Sequence, residues 1–189
     1  MVPAEVELSF GVRGAAQPAV VVEIADGRAV AFRGRIDRVD RAPDGTHLLV
    51  LDYKSGSRNP YRGLTTDPVK RGRALQLPVY GIAAQQRFGA ASVAGYYWFA
   101  TERWSYEREG FPLGERELAT FRHALVVIIE GIERGLFPAR PGERRNDGFE
   151  NCQICPYDRV CPRDRSRAWQ RKRRAPELRD FLDLAEPED

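Results

Sequence analysis

Two acids and a lysine stand at the ends of neighbouring predicted strands. The segment Val50–Ser57 reads VLDYKSGS, so an apolar strand ends in Asp52, Tyr53 and Lys54 before a Ser-Gly turn. Because side chains alternate faces along a strand, Asp52 and Lys54 point to one side and Tyr53 to the other. Taken alone, this pair is also typical of a solvated strand end with a modest surface ion pair.

A second acid joins this pair. The turn Pro43-Asp44-Gly45 predicts that the strands on either side of it form a hairpin, which lets Asp37 converge with Asp52 and Lys54. Two carboxylates and a lysine suit metal-assisted hydrolysis, since carboxylate oxygens bind Mg²⁺ and an ammonium stabilises charge that grows on phosphorus or orients the attacking water. Glycoside hydrolysis by two carboxylates stays open, although it leaves the lysine without a role.

The elements that must position these residues alternate between strands and helices. Alternating branched and aromatic residues predict strands at 6–12, 19–24, 29–40, 47–54 and 92–101, with one more near Trp104. The first of these read as an antiparallel meander. Apolar residues at helical spacing predict helices over 68–88 and from Leu118 to Leu136. This order favours an α/β fold in which helices flank a mixed central β-sheet.

Composition sets the class of protein. The chain has 189 residues and 42% hydrophobic content, which fits one ordinary globular domain. The net charge of +3, from 30 basic and 27 acidic residues, does not by itself imply a polyanionic partner. No apolar stretch approaches the length of a membrane span, and the amino terminus lacks the pattern of a signal peptide. We therefore expect a cytoplasmic protein that does not bind membranes.

Three cysteines and a basic segment mark the carboxy-terminal part. Cys152, Cys155 and Cys161 follow a C-x2-C-x5-C pattern, which in a cytoplasmic chain favours metal or redox chemistry over disulfides. Three is one thiol short of the four ligands of a zinc site or an iron-sulfur cluster. The basic run around Trp169 fits either a nucleic-acid contact or a solvated helix face, and its candidate DNA-binding residues are Arg171, Lys172, Arg173 and Arg174.

Several of these motifs occur together in one known family. The order GRIDRVD, then DYKSG, then Gln76-Leu-Pro-Val-Tyr80, then the cysteines resembles the RecB-like branch of the PD-(D/E)XK nuclease superfamily. That branch includes helicase-nuclease subunits of the AddB and AdnB kind. The resemblance covers about residues 34–161 and implies a restriction-endonuclease-like nuclease core. We accordingly expect a nuclease domain over 1–166, cysteines included, and a basic then acidic tail over 167–189.

The resemblance also implies roles for individual residues. Asp37, Asp52 and the backbone carbonyl of Tyr53 would bind Mg²⁺ or Mn²⁺, and Lys54 would be the catalytic lysine. Gln76 and Tyr80 match the helix motif of the family and, being one turn apart, share a helix face. The cysteines would hold a 4Fe-4S cluster whose fourth ligand is missing from this chain. The implied activity is metal-dependent DNA hydrolysis, as exonuclease or endonuclease, in recombinational repair.

Members of this branch begin with a helical segment that carries a further metal ligand and the first cysteine, whereas this chain begins at the strands. We therefore expect a piece of a longer nuclease, a shortened reading frame or a minimal variant. The alternative function is a non-catalytic remnant that binds DNA or docks on a helicase. Either way the expected partners are DNA, as single strands or duplex ends, and a helicase subunit.

Overall fold

The computed structural model describes residues 1–15, 17–146, 148–153 and 155–186. It divides the chain into two units, Met1–Val126 and Val127–Asp189, which are described separately below. The division falls inside a long helix rather than at residue 166, and the predicted domain boundary there stays a prediction. No helix in these ranges combines the length and the apolar character that crossing a membrane requires.

A five-stranded sheet organises the first unit. Its strands lie in the order β1-β4-β5-β6-β7, and only β5 and β6 run parallel. The strands are β1 (Val2–Phe10), β4 (Gly34–Arg41), β5 (His47–Lys54), β6 (Ser92–Phe99) and β7 (Arg108–Pro112). Helix α1 (Gln76–Phe88) connects β5 to β6, as a parallel pair requires, and packs on both strands. The predicted mixed sheet with flanking helices is confirmed.

The meander prediction is wrong for the first strands. Strands β2 (Val20–Glu23) and β3 (Ala29–Phe32) form a separate two-stranded sheet, while β1 pairs directly with β4. The predicted single strand over 29–40 is interrupted at Arg33, because β3 pairs with β2 and β4 pairs with β1 and β5. The predicted hairpin between β4 and β5 is present.

Two other boundaries differ from the prediction. Helix α1 begins at Gln76, not near residue 68, because Lys70, Arg71 and Gly72 have positive φ angles that no α-helix accommodates. Val69 and Ala74 are buried nonetheless, in a turn closed by the bond from the Ala74 amide to the Val69 carbonyl. Their spacing therefore reports burial rather than helix.

The second aromatic strand was also misplaced. Trp104 lies in a short 3-10 turn, Glu102–Trp104, and the strand that follows is β7 at Arg108–Pro112. The long amphipathic helix is α2 (Glu115–Glu133), which ends before Leu136. Within the first unit, Phe121 of α2 is fully buried and contacts the ring of Phe32.

The second unit consists of short elements. It contains the hairpin of β8 (Arg144–Arg145) and β9 (Gly148–Phe149), followed by α3 (Arg165–Lys172) and α4 (Arg179–Ala185). The side chain of Asp164 caps α3 by accepting from the Arg167 amide. Trp169 is buried, so the aromatic residue of the basic segment is part of the packing of this unit.

Candidate active site

The site is built around a buried carboxylate at the end of the central strand. Asp52 follows the buried residues Val50 and Leu51 on β5, and only 4% of its surface is exposed. The parallel strands β5 and β6 end at the same edge of the sheet, which is where α/β sheets commonly bind ligands. A buried carboxylate is costly unless partners compensate its charge, so the groups around Asp52 are the first to identify.

Helix α1 supplies the hydrogen bonds to this carboxylate. Gln76, the first residue of α1, donates from Nε2 to Asp52 Oδ1 at 2.8 Å and to the Tyr80 hydroxyl at 2.9 Å. Tyr80 in turn packs edge-on against the ring of Phe10. Gly34 makes room for this packing, since a Cβ there would lie 2.9 Å from Phe10 Cζ. The first turn of α1 is thus fixed against the end of β5.

Lys54 lies on the same side of β5 as Asp52. Its Nζ forms an ion pair with Asp52 Oδ2 and lies 3.4 Å from Gln76 Oε1. The ammonium is also 5.0 Å from the centre of the Tyr97 ring, which is the residue paired with Asp52 on β6. This ring and the two polar partners hold the ammonium at the mouth of the site.

Asp37 completes the acidic pair. Arg38 pairs with Leu51, and Asp37 and Asp52 continue the same register one residue further. Side chains of opposed residues in an antiparallel pair lie on the same face, so both carboxylates project to the side of α1. Asp37 Oδ2 accepts a hydrogen bond from the Tyr53 amide at 2.8 Å, which ties the end of β4 to the end of β5.

Burial dominates the electrostatics of the site. It raises the pKa of Asp52 above 3.8, an effect that Lys54 opposes and the nearby charge of Asp37 reinforces. Burial likewise raises the pKa of Tyr80, whose hydroxyl therefore stays protonated at neutral pH. The uncompensated part of the site is thus negative and calls for a further cation.

The donor set fits a hard divalent cation. Asp52 Oδ2 is buried and accepts no hydrogen bond from the described residues, its contact with Lys54 being that of an ion pair. Asp37 offers a second, half-buried carboxylate opposite it. Carboxylate oxygens without softer donors suit Mg²⁺ or Mn²⁺, which keep several waters in their shells. Asp37 and Asp52 are the residues that would hold such an ion.

Comparison with known families agrees with this geometry. A profile that describes the PD-(D/E)XK nuclease superfamily matches residues 1–162. The chain belongs to the PD-(D/E)XK nuclease superfamily.

Similar proteins point to one group inside this superfamily, the B-type subunits of ATP-dependent helicase/deoxyribonucleases. The chain is 37% identical over 127 residues to the protein of this kind from Moorella thermoacetica, over 64% of this chain and 10% of that protein. The proteins of the same name from Pelotomaculum thermopropionicum and Ruminiclostridium cellulolyticum are 48% and 44% identical over 80 residues, or 41% of this chain and 6% of each. The chain thus spans about a tenth or less of these curated relatives, and the predicted resemblance to helicase-nuclease subunits is confirmed.

Among the residues that the PD-(D/E)XK motifs predicted, one group meets in space. Asp52, Lys54, Gln76 and Tyr80 are joined by direct contacts, and Asp37 lies beside them. The structure places them together without testing what each of them does, so their catalytic and metal-binding roles stay predictions. The same holds for the backbone carbonyl of Tyr53.

The cysteines lie in the second unit. Cys152, Cys155 and Cys161 are free, and all three line one small cavity of about 60 Å³. In the described ranges, however, no three His, Cys, Asp or Glu side chains are arranged to bind one metal ion. The expectation that the three sulfurs share one centre therefore finds no support in this arrangement.

The basic residues of the predicted DNA contact surround the end of α3. Arg171, Lys172, Arg173 and Arg174 are all exposed. Arg173 forms an ion pair with Glu186 Oε2 at 3.1 Å, and Arg140 binds the same carboxylate at 2.7 Å. This pairing offsets part of the positive charge, and the DNA-binding role of the four residues stays a prediction.

Sequence reasoning missed two residues near the site. Tyr97 lies beneath Lys54 only because of the parallel register of β5 and β6, and no local signal reveals that register. Arg58, in the loop after β5, forms ion pairs with Glu107 and Glu109 and so ties this loop to β7. Nothing in the sequence near Arg58 indicates partners about fifty residues away.

Proposed function

We propose that this chain is a metal-dependent DNA nuclease that hydrolyses phosphodiester bonds. The observation that carries the proposal is the convergence of Asp37, Asp52 and Lys54 with the first turn of α1, in a chain that belongs to a nuclease superfamily. The deoxyribonuclease subunits among its relatives support DNA as the substrate. A remnant free of selection for catalysis would have no reason to keep this set, so the non-catalytic alternative has less support.

Each side chain has a role that its position supports. Asp37 and Asp52 hold the divalent ion, which when bound polarises the phosphate and lowers the pKa of a water nucleophile. Lys54 Nζ, held at the mouth of the site, stabilises the negative charge that grows on the phosphate oxygens.

The residues of α1 orient the site. Gln76 fixes the orientation of the Asp52 carboxylate through its 2.8 Å hydrogen bond. Because the Tyr80 hydroxyl already accepts from Gln76 and has a raised pKa, its own proton is available for a phosphate oxygen.

Substitution of the lysine tests the proposal most directly. Labelled single-stranded and duplex DNA are incubated with the chain in Mg²⁺, in Mn²⁺ and in chelator. We expect cleavage with either metal and none with chelator. Lys54→Ala should abolish cleavage but change DNA affinity by no more than a few-fold, because the lysine acts on charge that develops in the transition state. Asp37→Ala and Asp52→Ala should lose metal affinity as well as cleavage. Wild-type cleavage by Lys54→Ala would refute the assignment.

We further propose that Cys152, Cys155 and Cys161 supply three ligands of an iron-sulfur cluster. The support is the cavity that they share in the second unit and the match of their spacing to the helicase-nuclease branch. Anaerobic purification with iron analysis and a visible absorption spectrum tests this. Iron bound by the wild type and lost in Cys155→Ser is the expected result, and a colourless wild type without iron or zinc would contradict it.

The biological setting follows from the relatives. Their shared name, which joins helicase and deoxyribonuclease, supports action on DNA ends or single strands together with a helicase during repair. Co-purification of the tagged chain with an ATP-dependent helicase from its own cells tests the partner. A chain that cleaves DNA alone and binds no helicase would separate the activity from the assembly.

A further inference from the structure

A row of aromatic and guanidinium side chains crosses the sheet on the face opposite the carboxylates. It consists of Arg38, Tyr53, Trp98 and Arg108, one from each of β4 to β7, and is called the aromatic stripe below. Tyr53 is paired with Trp98, and Trp98 with Arg108, in the registers of the sheet. Since Tyr53 lies between Asp52 and Lys54 on β5, its side chain points away from the metal-binding face.

The groups of the aromatic stripe contact one another in sequence. Arg38 Nη1 lies 3.5 Å from the Tyr53 hydroxyl, and the Tyr53 and Trp98 rings are 5.5 Å apart with planes tilted by 33°. The guanidinium of Arg108 lies over the Trp98 ring at 4.6 Å from its centre. Trp98 Nε1 donates to the Tyr106 carbonyl at 2.9 Å, which fixes the indole plane. The two rings are therefore held in place before any ligand binds.

The aromatic stripe is open to solvent. Tyr53 is 41% exposed, Arg108 is exposed and Trp98 is half-buried, although Leu51, two residues before Tyr53 on β5, is 1% exposed. Asp40 neutralises Arg38 through two hydrogen bonds of 2.6 and 3.0 Å. In the described part of the chain Arg108 forms no ion pair, so one positive charge remains beside the exposed rings.

We propose that the aromatic stripe binds the unpaired bases of single-stranded DNA. Exposed aromatic rings stack with bases of any sequence, and a guanidinium beside them attracts the phosphate that follows each base. Duplex DNA keeps its bases stacked on one another and offers these rings no free face. The inference rests on the proposed function for the identity of the strand as DNA, and it assigns the nuclease a preference for single strands.

This binding face lies next to the predicted catalytic residues along the chain. The Tyr53 amide is hydrogen-bonded to Asp37, and its neighbours on β5 are Asp52 and Lys54. A base stacked on Tyr53 therefore holds its strand at the end of β5 that carries the carboxylates. The aromatic stripe would retain the strand, while hydrolysis takes place on the other face of the sheet.

Binding without cleavage tests the inference. The full chain is titrated in chelator with labelled oligothymidine, with an abasic strand of equal length and with a duplex. We expect the wild type to bind oligothymidine about 5- to 100-fold more tightly than the abasic strand, as stacking of one or two bases predicts. Tyr53→Ala and Arg108→Gln should reduce this ratio, whereas Tyr53→Phe should keep most of it. Tyr157→Ala, a 71% exposed tyrosine of the second unit, is the matched control.

The outcomes separate this inference from the proposed function. Equal binding of oligothymidine and abasic strand, or an unchanged ratio in both Tyr53→Ala and Arg108→Gln, would overturn the inference even if the chain cleaves DNA. Preferential binding of oligothymidine that depends on Tyr53, without cleavage when Mg²⁺ is restored, would support the inference and overturn the proposed function. Circular dichroism of each variant checks that it folds, and Arg108→Gln, at an exposed position, serves if Tyr53→Ala does not.

Discussion

Replacing Gln76 by leucine is expected to damage the site without removing any predicted metal ligand or the lysine. Gln76 Nε2 is the donor to Asp52 Oδ1, at 2.8 Å, on a carboxylate that is 4% exposed. Leucine keeps most of the volume but offers no donor, and it leaves little space for a water to take the place of the amide. Tyr80 loses its 2.9 Å donor at the same time.

The magnitude follows from the kind of bond that is lost. A hydrogen bond to a charged group contributes about 1.5–3 kcal/mol, and a buried acceptor left without a donor costs a similar amount. We expect the free energy of unfolding in chelator to fall by about 1.5–3 kcal/mol. Groups that orient metal ligands typically affect metal affinity by about 10- to 100-fold, so Mn²⁺ should bind more weakly by that factor.

The assay compares two glutamines of one helix. Gln86 is exposed on α1 and forms none of these contacts, so Gln86→Leu is the matched control. Urea denaturation in chelator gives the stability of each variant, and calorimetric titration with Mn²⁺ gives the metal affinity. If Gln76→Leu matches Gln86→Leu in both measurements, Gln76 does not hold Asp52 in the orientation described, and the argument for the α1 motif fails.

Two further predictions concern packing and pH. Gly34→Ala should destabilise the fold by about 1–3 kcal/mol in urea denaturation, because its Cβ would meet the Phe10 ring, whereas Gly56→Ala, with open space around it, should be near neutral. Burial raises the pKa of Asp52, so folding takes up a proton, and this residue lowers the free energy of unfolding as pH rises through that raised pKa. In chelator, Asp52→Asn should therefore gain stability relative to the wild type as pH rises. Melting curves across pH measure this, and a relative gain by the wild type would contradict it.

Much of the site could be predicted from local sequence patterns. The alternation of side chains along a strand places Asp52 and Lys54 on one face, and the turn at 43–45 makes the hairpin that brings Asp37 opposite Asp52. One helical turn separates Gln76 from Tyr80, and the two are hydrogen-bonded in the structure. These features involve residues near each other in the chain or within one hairpin, so short periodicities are sufficient to determine them.

The remaining features depend on which distant segments pair, and local patterns do not contain that information. Strand β1 pairs with β4 and not with its neighbour β2, so the meander prediction failed. The start of α1 at Gln76 depends on a turn with positive φ angles whose apolar residues are buried by tertiary contacts. A helical spacing of apolar residues cannot distinguish such a turn from a helix.

What the sequence by itself determined is the inventory and the local geometry of the chemistry: two acids, a lysine, a glutamine and a tyrosine on defined faces. What only the tertiary structure decided is their environment. The parallel register of β5 and β6 sets Tyr97 under Lys54 and aligns Tyr53 with Trp98 on the opposite face. Burial of Asp52, and hence its raised pKa, arises from the packing of α1 on the sheet. Register and burial are sums over many distant contacts, so they appear only once the whole sheet has formed.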